Sequence, residues 1–263
     1  SVTSVTFTYT VQDGTGGTSA AVMTTSFAAV NDAPTSASVT VGGTEDTLNT
    51  YTVANFAFSD VEGSTIAQIQ ITVLESSGAL ECNNKNGGSA GWQACVADDY
   101  VTAGTDLRLT PAADSVADVT FSFKVSDGTD YSAAAYVLTT THAAVNDAPA
   151  IANPTTTIAE DATKTFSATA GTAATEWGYS DTESVALSHV KIITLPGDGS
   201  LVLGVTAVSA NDEIALASLS SLVYTPLLND NGVGADTFTF QVKDANSYSS
   251  TGTMSFTITA VND

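Results

Sequence analysis

The residues Val145-Asn146-Asp147-Ala148-Pro149 occur twice, the other copy standing at 30–34, and the chain stops partway through a third copy, Val261-Asn262-Asp263. Val30, Val145 and Val261 lie 115 and 116 residues apart. A period of this size replaces one large fold with several small units. Each copy follows an alternating apolar run, and the proline in the two complete copies disfavours helix in the residue before it, so the motif reads as a linker. The 263 residues divide accordingly. Residues 1–33 read as the C-terminal hairpin of a preceding, truncated repeat. Residues 34–149 and 150–263 read as two full repeats.

Within each repeat the pattern is of short strands bounded by turn residues. Residues 2–11 and 18–29 form an alternating pair around Asp13-Gly14-Thr15-Gly16-Gly17, and they line up with 119–125 and 131–143, then with 237–242 and 249–260. An isolated hairpin is marginal in water, so 1–33 is expected to need partners, either preceding sequence or another molecule. Residues 36–41, 48–58, 66–74, 99–101 and 106–109 read as the remaining strands of the first repeat. Residues 155–158, 164–168, 185–194, 200–205, 213–215 and 222–224 read as those of the second. Ser, Thr, Val and Gly are poor helix formers, and only 215–222 suggests one short helical turn. The expected fold is all-β: tandem seven-stranded antiparallel β-sandwiches of Ig/cadherin-like kind, arranged end to end.

Six Lys and Arg stand against 28 Asp and Glu, a formal net charge of −22. Such a chain repels nucleic acid and anionic membrane. The sequence has no run of 18 apolar residues, so no direct membrane insertion is expected in this segment. The acids occur singly or in pairs beside Gly, Asn and Ser, which leaves two readings, a solvated surface or sites for a hard cation. Cys82 and Cys95 flank a Gly/Asn-rich loop and are read as a disulfide closing it, which suits an oxidising compartment.

The acids recur at equivalent places: Glu-Asp at 45–46 and 160–161, Asp-x-Glu at 60–62 and 181–183, and Asp at 127 and 244. In a seven-strand sandwich the A–B and E–F loops share one end with the unit's last residue. The B–C and F–G loops share the other end with its first. Glu45, Asp46 and Asp114 are thereby expected to converge with Asn146, Asp147, Asp181, Glu183 and Asp244. Asn31, Asp32, Asp60, Glu62 and Asp127 form half of an earlier junction, and Glu160, Asp161 and Asp230 half of a later one. Two like charges about 4 Å apart repel by roughly 4 kcal/mol at an effective dielectric of 20. Several carboxylates therefore need a cation among them. An all-oxygen set without His or Cys suits Ca²⁺ with its 6–8 ligands better than Mg²⁺.

The Asn-Asp linker, the Glu near the end of strand A, the Asp-x-Glu after strand B and the Asp after strand F resemble the cadherin pattern of calcium ligands. With Val-Asn-Asp-Ala-Pro they look most like the cadherin-like tandem repeats of large bacterial, RTX-type, surface adhesins. The resemblance implies extracellular, cell-surface repeats that calcium rigidifies, acting as a stalk or in adhesion. Their partners would be neighbouring repeats of the same long chain and other copies in a fibre. Ala33 and Ala148 replace the second Asn of the cadherin Asn-Asp-Asn.

Enzyme-like matches are weak. Gly87-Gly88-Ser89-Ala90-Gly91 satisfies G-x-S-x-G, but that motif works on a strand–turn–helix corner with downstream partners, and here it lies inside the cysteine loop. Asn231-Gly232-Val233-Gly234-Ala235-Asp236 resembles a single calcium-binding β-helix repeat, and one copy cannot build a turn. His142 and His189 have no recurring partners. No enzyme is expected. The alternative function is a glycan-binding module, for which Trp92 in its Gly-rich loop is a better exposed contact than Trp177, read as core. The two repeats share no aromatic platform, which favours the scaffold.

Overall fold

The computed structural model describes residues 3–88, 90–102 and 106–262. Ser89 of the G-x-S-x-G match and Asp263 of the third linker copy lie outside the described residues. The chain divides into two compact units, Ser1–Val145 and Asn146–Asp263.

The first unit opens with a hairpin, β1 (Thr3–Gln12) and β2 (Thr18–Phe27), that forms its own two-stranded sheet. Then follow β3 (Val39–Thr44), β4 (Asn49–Tyr51), β5 (Gln68–Val73), β6 (Ala79–Cys82) and β7 (Gln93–Ala94). The unit closes with β8 (Tyr100–Thr102), β9 (Leu107–Thr110), β10 (Val119–Ser126) and β11 (Tyr136–Ala143). One sheet has the order β3-β11-β10-β5-β8 and the other β4-β9-β6-β7. Strand β10 alternates buried and half-buried positions, with Val119, Phe121, Phe123 and Val125 inward. A period of two on one buried face fixes the register, because a slip of one residue would turn every apolar side chain to solvent. Tyr51 and Phe56 meet Phe121 and Phe123 edge to face across the core, with ring centroids 5.6 and 4.9 Å apart.

The second unit repeats the plan. Its strands are β12 (Ala150–Ile151), β13 (Thr155–Ala159), β14 (Lys164–Thr165), β15 (Tyr179–Ser180) and β16 (His189–Ile192). They continue as β17 (Ser200–Leu203), β18 (Thr206–Ala207), β19 (Glu213–Ala215), β20 (Leu222–Thr225), β21 (Gly232–Lys243) and β22 (Gly252–Thr259). The sheet order is β13-β22-β21-β16-β19 against β14-β20-β17-β18, with β12-β15 as a small extra pair. Phe166, Trp177, Leu219, Tyr224, Phe238 and Phe256 anchor its core. Two tandem β-sandwiches of Ig/cadherin-like order are therefore present, as the turn spacing predicts.

Several details differ from the sequence expectation. Each sandwich contains one parallel pairing, β3 with β11 and β13 with β22. Parallel neighbours need a long crossover, and here the intervening strands of the unit supply it. The short strands β6 and β7 of the first unit and β12, β15 and β18 of the second are additions to the strands expected from the sequence, whereas β8 and β19 stand where 99–101 and 213–215 were read. The strand expected at 48–58 is broken after Tyr51 by a 3₁₀ turn, Val53–Asn55, where Asn55 Oδ1 accepts the Thr52 N–H at 2.8 Å. The sequence offered no helix there or at 170–176, yet α1 (Ala170–Glu176) forms. Burial decides it: Ala173 and the C-terminal Trp177 are fully enclosed, and Trp177 stacks on Phe166 with centroids 4.6 Å apart. The expected helical turn at 215–222 is present as a 3₁₀ segment, Leu216–Ser221.

The cysteine excursion is itself a hairpin, β6 paired with β7, closed by the Cys82–Cys95 disulfide across Cα atoms 5.3 Å apart. The bond closes a loop of sequence separation 13, for which chain-entropy loss in the unfolded state is worth about 3 kcal/mol. Replacing both cysteines by Ser is expected to lower the stability of the first unit by that amount and to leave the second, which has no cysteine, unchanged. Urea unfolding followed by hydrogen exchange in each unit measures this; equal loss in both, or none, would contradict it.

Candidate metal centre

The residues that open each unit are fixed by the same hydrogen bonds in both copies. In the first unit Asn31 Nδ2 donates to Asp127 Oδ2 at 3.0 Å and to Asp130 Oδ2 at 2.8 Å. In the second, Asn146 Nδ2 donates to Asp244 Oδ2 at 2.9 Å and to Ser247 Oγ at 3.0 Å. The backbone N–H of the following Asp meets the Asp-x-Glu motif in both: Asp32 N–H to Glu62 Oε2 at 3.2 Å, Asp147 N–H to Glu183 Oε2 at 3.0 Å. The linker's Asn and Asp are thus clamped onto the unit that follows them, Asn onto the loop joining β10 to β11 or β21 to β22 (the F–G loop) and Asp onto the segment between β4 and β5 or β14 and β16 (the B–C loop).

The acids hold their own loops as well. Asp127 Oδ1 accepts the N–H groups of Thr129 and Asp130 at 2.7 and 2.8 Å. Asp244 Oδ1 accepts those of Asn246 and Ser247. These are Asx-type turns, in which a short carboxylate replaces a backbone acceptor. Donors from the Asp130 and Thr129 backbone hold the Asp127 carboxyl below the usual carboxylate range. At Asp244 burial pushes the other way, yet the Ser247 and Asn246 N–H groups and the Asn146 amide outweigh it, and its pKa is lowered. Asp60 Oδ1 accepts the Ser64 N–H at 2.9 Å, and Asp181 Oδ1 the Val185 N–H at 2.7 Å.

In each of these last two residues the second oxygen, Oδ2, is buried and has no hydrogen-bond partner. A buried acceptor left unmatched carries a desolvation cost of about 1–3 kcal/mol, more for a charged group. The same atom in the same loop of both units carries it. Beside Asp181, burial and the charges of Asp181 and Asp244 push the Tyr179 hydroxyl up to about 12, and that hydroxyl donates to Val185 O at 2.6 Å.

At the closing end of each unit a buried glutamate does the clamping. Glu45 Oε1 accepts the Val145 N–H at 2.8 Å, and Glu160 Oε1 the Val261 N–H at 2.6 Å. Asp46 Oδ1 accepts the Asp114 N–H at 3.1 Å, and carboxylate oxygens of the two lie within 4.8 Å of each other. Both residues adopt positive φ, +56° and +52°. In the second unit the positive φ falls on Asn229, one residue before Asp230, so Asp230 is not the geometric counterpart of Asp114. Asp230 Oδ2 is nonetheless buried without a hydrogen-bond partner. Asp161 is exposed.

Sequence reasoning missed Asp130, which shares Asn31 with Asp127. It also missed Asp13 of the opening hairpin, whose Oδ1 accepts the Thr15 and Gly17 N–H groups at 2.9 and 2.7 Å. The signal for Asp13 was present: it stands two residues after a strand valine, as Asp127 and Asp244 do. Of the tryptophans, Trp177 is core, and Trp92 lies under the Arg108 guanidinium, 4.1 Å from the ring centroid. No helix among the described residues is long and apolar enough to cross a membrane.

Because the folded Asp244 carboxyl titrates below its unfolded value of about 3.9, it contributes stability that is complete above that value. The contribution is lost as pH falls through the lower folded pKa. Asp244→Asn, which keeps the shape but weakens the charge-assisted bonds, is expected to cost the second unit about 2 kcal/mol at neutral pH. It should also flatten the unit's acid limb; unfolding midpoints between pH 2 and 7 measure both, and an unchanged acid limb would contradict the assignment.

Residues 146–257 match a protein family described as Bacterial Ig domain. No curated protein matches the chain. Among solved structures, the protocadherin gammaB7 EC3-6 cis dimer is similar at 13% identity with a TM-score of 0.49, covering 97% of this chain and 58% of that one. Human mucin-like protocadherin EC1-2 is similar at 15% identity with a TM-score of 0.43, covering 87% and 98%. An endo-fucoidan hydrolase of glycoside hydrolase family 107 is similar at 18% identity with a TM-score of 0.31, covering 99% of this chain. The chain spans 34% of that hydrolase's length. The family match falls on the second unit, and the first unit has the same strand order.

Proposed function

We propose that this is a calcium-stiffened extracellular repeat module, the stalk or spacer of a cell-surface adhesin or the building unit of an extracellular fibre, without catalytic activity. The observation that carries the reading is the buried, unpartnered Oδ2 of Asp60 and of Asp181, in corresponding loops of the two units, each two residues ahead of the Glu of its Asp-x-Glu motif. The donor set fits the ion. Asp and Glu carboxylates with Asn oxygens and backbone carbonyls are hard ligands, and His or Cys takes no part.

In the first unit Asp32, Asp60, Glu62, Asp127 and Asp130 would hold the ion; in the second, Asp147, Asp181, Glu183 and Asp244 would do so. Glu45, Asp46, Asp114, Asn31 and Asn146, with Glu160, Asp161 and Asp230, supply the surrounding charge and positioning groups. The bound divalent charge offsets the repulsion among the carboxylates and satisfies the stranded oxygens. The residues do the rest. Asn31 and Asn146 tie the linker to the F–G loop, Glu62 and Glu183 tie it to the B–C loop, and Glu45 and Glu160 receive the last strand. With loops and linker locked, successive repeats would add length as a rod instead of flexing at each linker. The surplus of acid keeps neighbouring rods apart in solution.

Extracellular calcium modules bind with Kd of about 10⁻⁴–10⁻³ M, and ligand at about 100 times Kd stabilises by roughly 2.7 kcal/mol. Calcium is therefore expected to raise the unfolding midpoint relative to chelator. Asp60→Asn should remove the gain in the first unit and Asp181→Asn in the second, each leaving the other unit's response intact. Small-angle scattering should show a longer, less variable particle with calcium. Identical midpoints and dimensions in calcium and in chelator would overturn the proposal.

A further inference from the structure

Counting back from the three Val-Asn-Asp copies and from the aspartates of the F–G turns superimposes the opening hairpin on the last two strands of both units. Phe7, Tyr9 and Val11 then correspond to Phe121, Phe123 and Val125 and to Phe238, Phe240 and Val242; Met23 corresponds to Leu138 and Met254. The register agrees. Phe7 stands opposite Met23, as Phe121 stands opposite Leu138 and Phe238 opposite Met254. The turn agrees as well, Asp13 gathering N–H groups as Asp127 and Asp244 do.

One property differs. In the two sandwiches every one of these apolar side chains is 0–1% exposed, whereas in the hairpin Phe7, Tyr9, Val11 and Met23 are 44–56% exposed. The hairpin's edges differ too. In the units the last strand is flanked by a parallel first strand, β3 on β11 and β13 on β22, and the strand before it by β5 or β16. Strands β1 and β2 pair only with each other among the described residues.

We propose that the β1–β2 hairpin is the closing strand pair of a third sandwich, and that it docks on the strands that precede such a pair, the counterparts of β3 to β9, in a further repeat of this same kind carried by the same polypeptide. The internal repetition states the chemistry of the occupant. It presents an apolar inner sheet like Tyr51, Leu80, Leu107 and Leu109 of the first unit. It lays a first strand parallel along β2, and an antiparallel strand along β1. At the end of that first strand it carries a glutamate to receive the Val30 N–H, as Glu45 receives Val145 and Glu160 receives Val261. A second copy of this chain cannot supply that set without opening one of its own closed sandwiches. This inference does not rest on metal binding.

The test uses the full chain and a chimera in which a copy of residues 34–118, the strands β3 to β9 of the first unit, is fused ahead of Val5. In the full chain the amides of β1 and β2 are expected to exchange quickly, and Phe7→Asp should leave both units' unfolding midpoints unchanged, while Phe121→Asp abolishes folding of the first. In the chimera the same amides should slow by a factor of 100 or more, a hydrophobic dye should lose fluorescence, and Phe7→Asp should reverse both changes. Hairpin amides that stay equally fast in the chimera would overturn the proposal. So would a fall in the first unit's midpoint on Phe7→Asp, which would mean that unit covers the face itself. Concentration-dependent dimers of the full chain that Phe7→Asp disperses would overturn it in favour of face-to-face self-association.

Discussion

Each end of each sandwich is organised by carboxylates that spend one oxygen on the backbone. A loop that leaves a sheet exposes N–H groups with no strand to pair with, and burying them unmatched is costly. Asp60, Asp127, Asp181 and Asp244 each collect such donors through Oδ1, and Glu45 and Glu160 do the same through Oε1. The loops therefore hold their shape because an acid stands inside them. The consequence is electrostatic: a chain that shapes its loops with buried and half-buried acids accumulates negative charge at both ends of each unit, and the second oxygens of Asp60 and Asp181 are left without a hydrogen-bond partner. This is the charge, and these are the oxygens, that the proposed divalent cation would satisfy.

That arrangement also explains why the linker belongs with the unit after it. Asn146 and Asp147 are fixed to the F–G and B–C loops of the second unit, while Val145 is fixed to Glu45 of the first. The boundary between the compact units falls between those two residues. In both units the Asn side chain donates to the F–G carboxylate while its neighbour's N–H reaches the B–C glutamate.

Much of this was legible in the sequence because it repeats. Three Val-Asn-Asp copies set the period, and alternation in 119–125 gave β10 with its inward face. The Glu-Asp and Asp-x-Glu recurrences located most of the acids that the structure ties into loops, and the Gly-rich spacing of Cys82 and Cys95 gave the disulfide. What escaped depends on tertiary burial or on one unit departing from the other. Helix α1 exists because Ala173 and Trp177 are enclosed, which no propensity scale records. The parallel edge strands depend on which end of the sheet the chain enters. Asp130 was missed because the second unit has Ser247 in its place, so recurrence could not reveal it. Asp230 was paired with Asp114 by position, although the backbone aligns Asp114 with Asn229.

Calcium binding rests on two atoms, and crystals grown in calcium would examine them directly. An ion is expected about 2.3–2.6 Å from Oδ2 of Asp60 and of Asp181, the usual calcium–oxygen distance, identified by its anomalous signal and completed by neighbouring carboxylates of the same loops. Finding those two oxygens hydrogen-bonded to protein or water, with no ion at either place in saturating calcium, would contradict it.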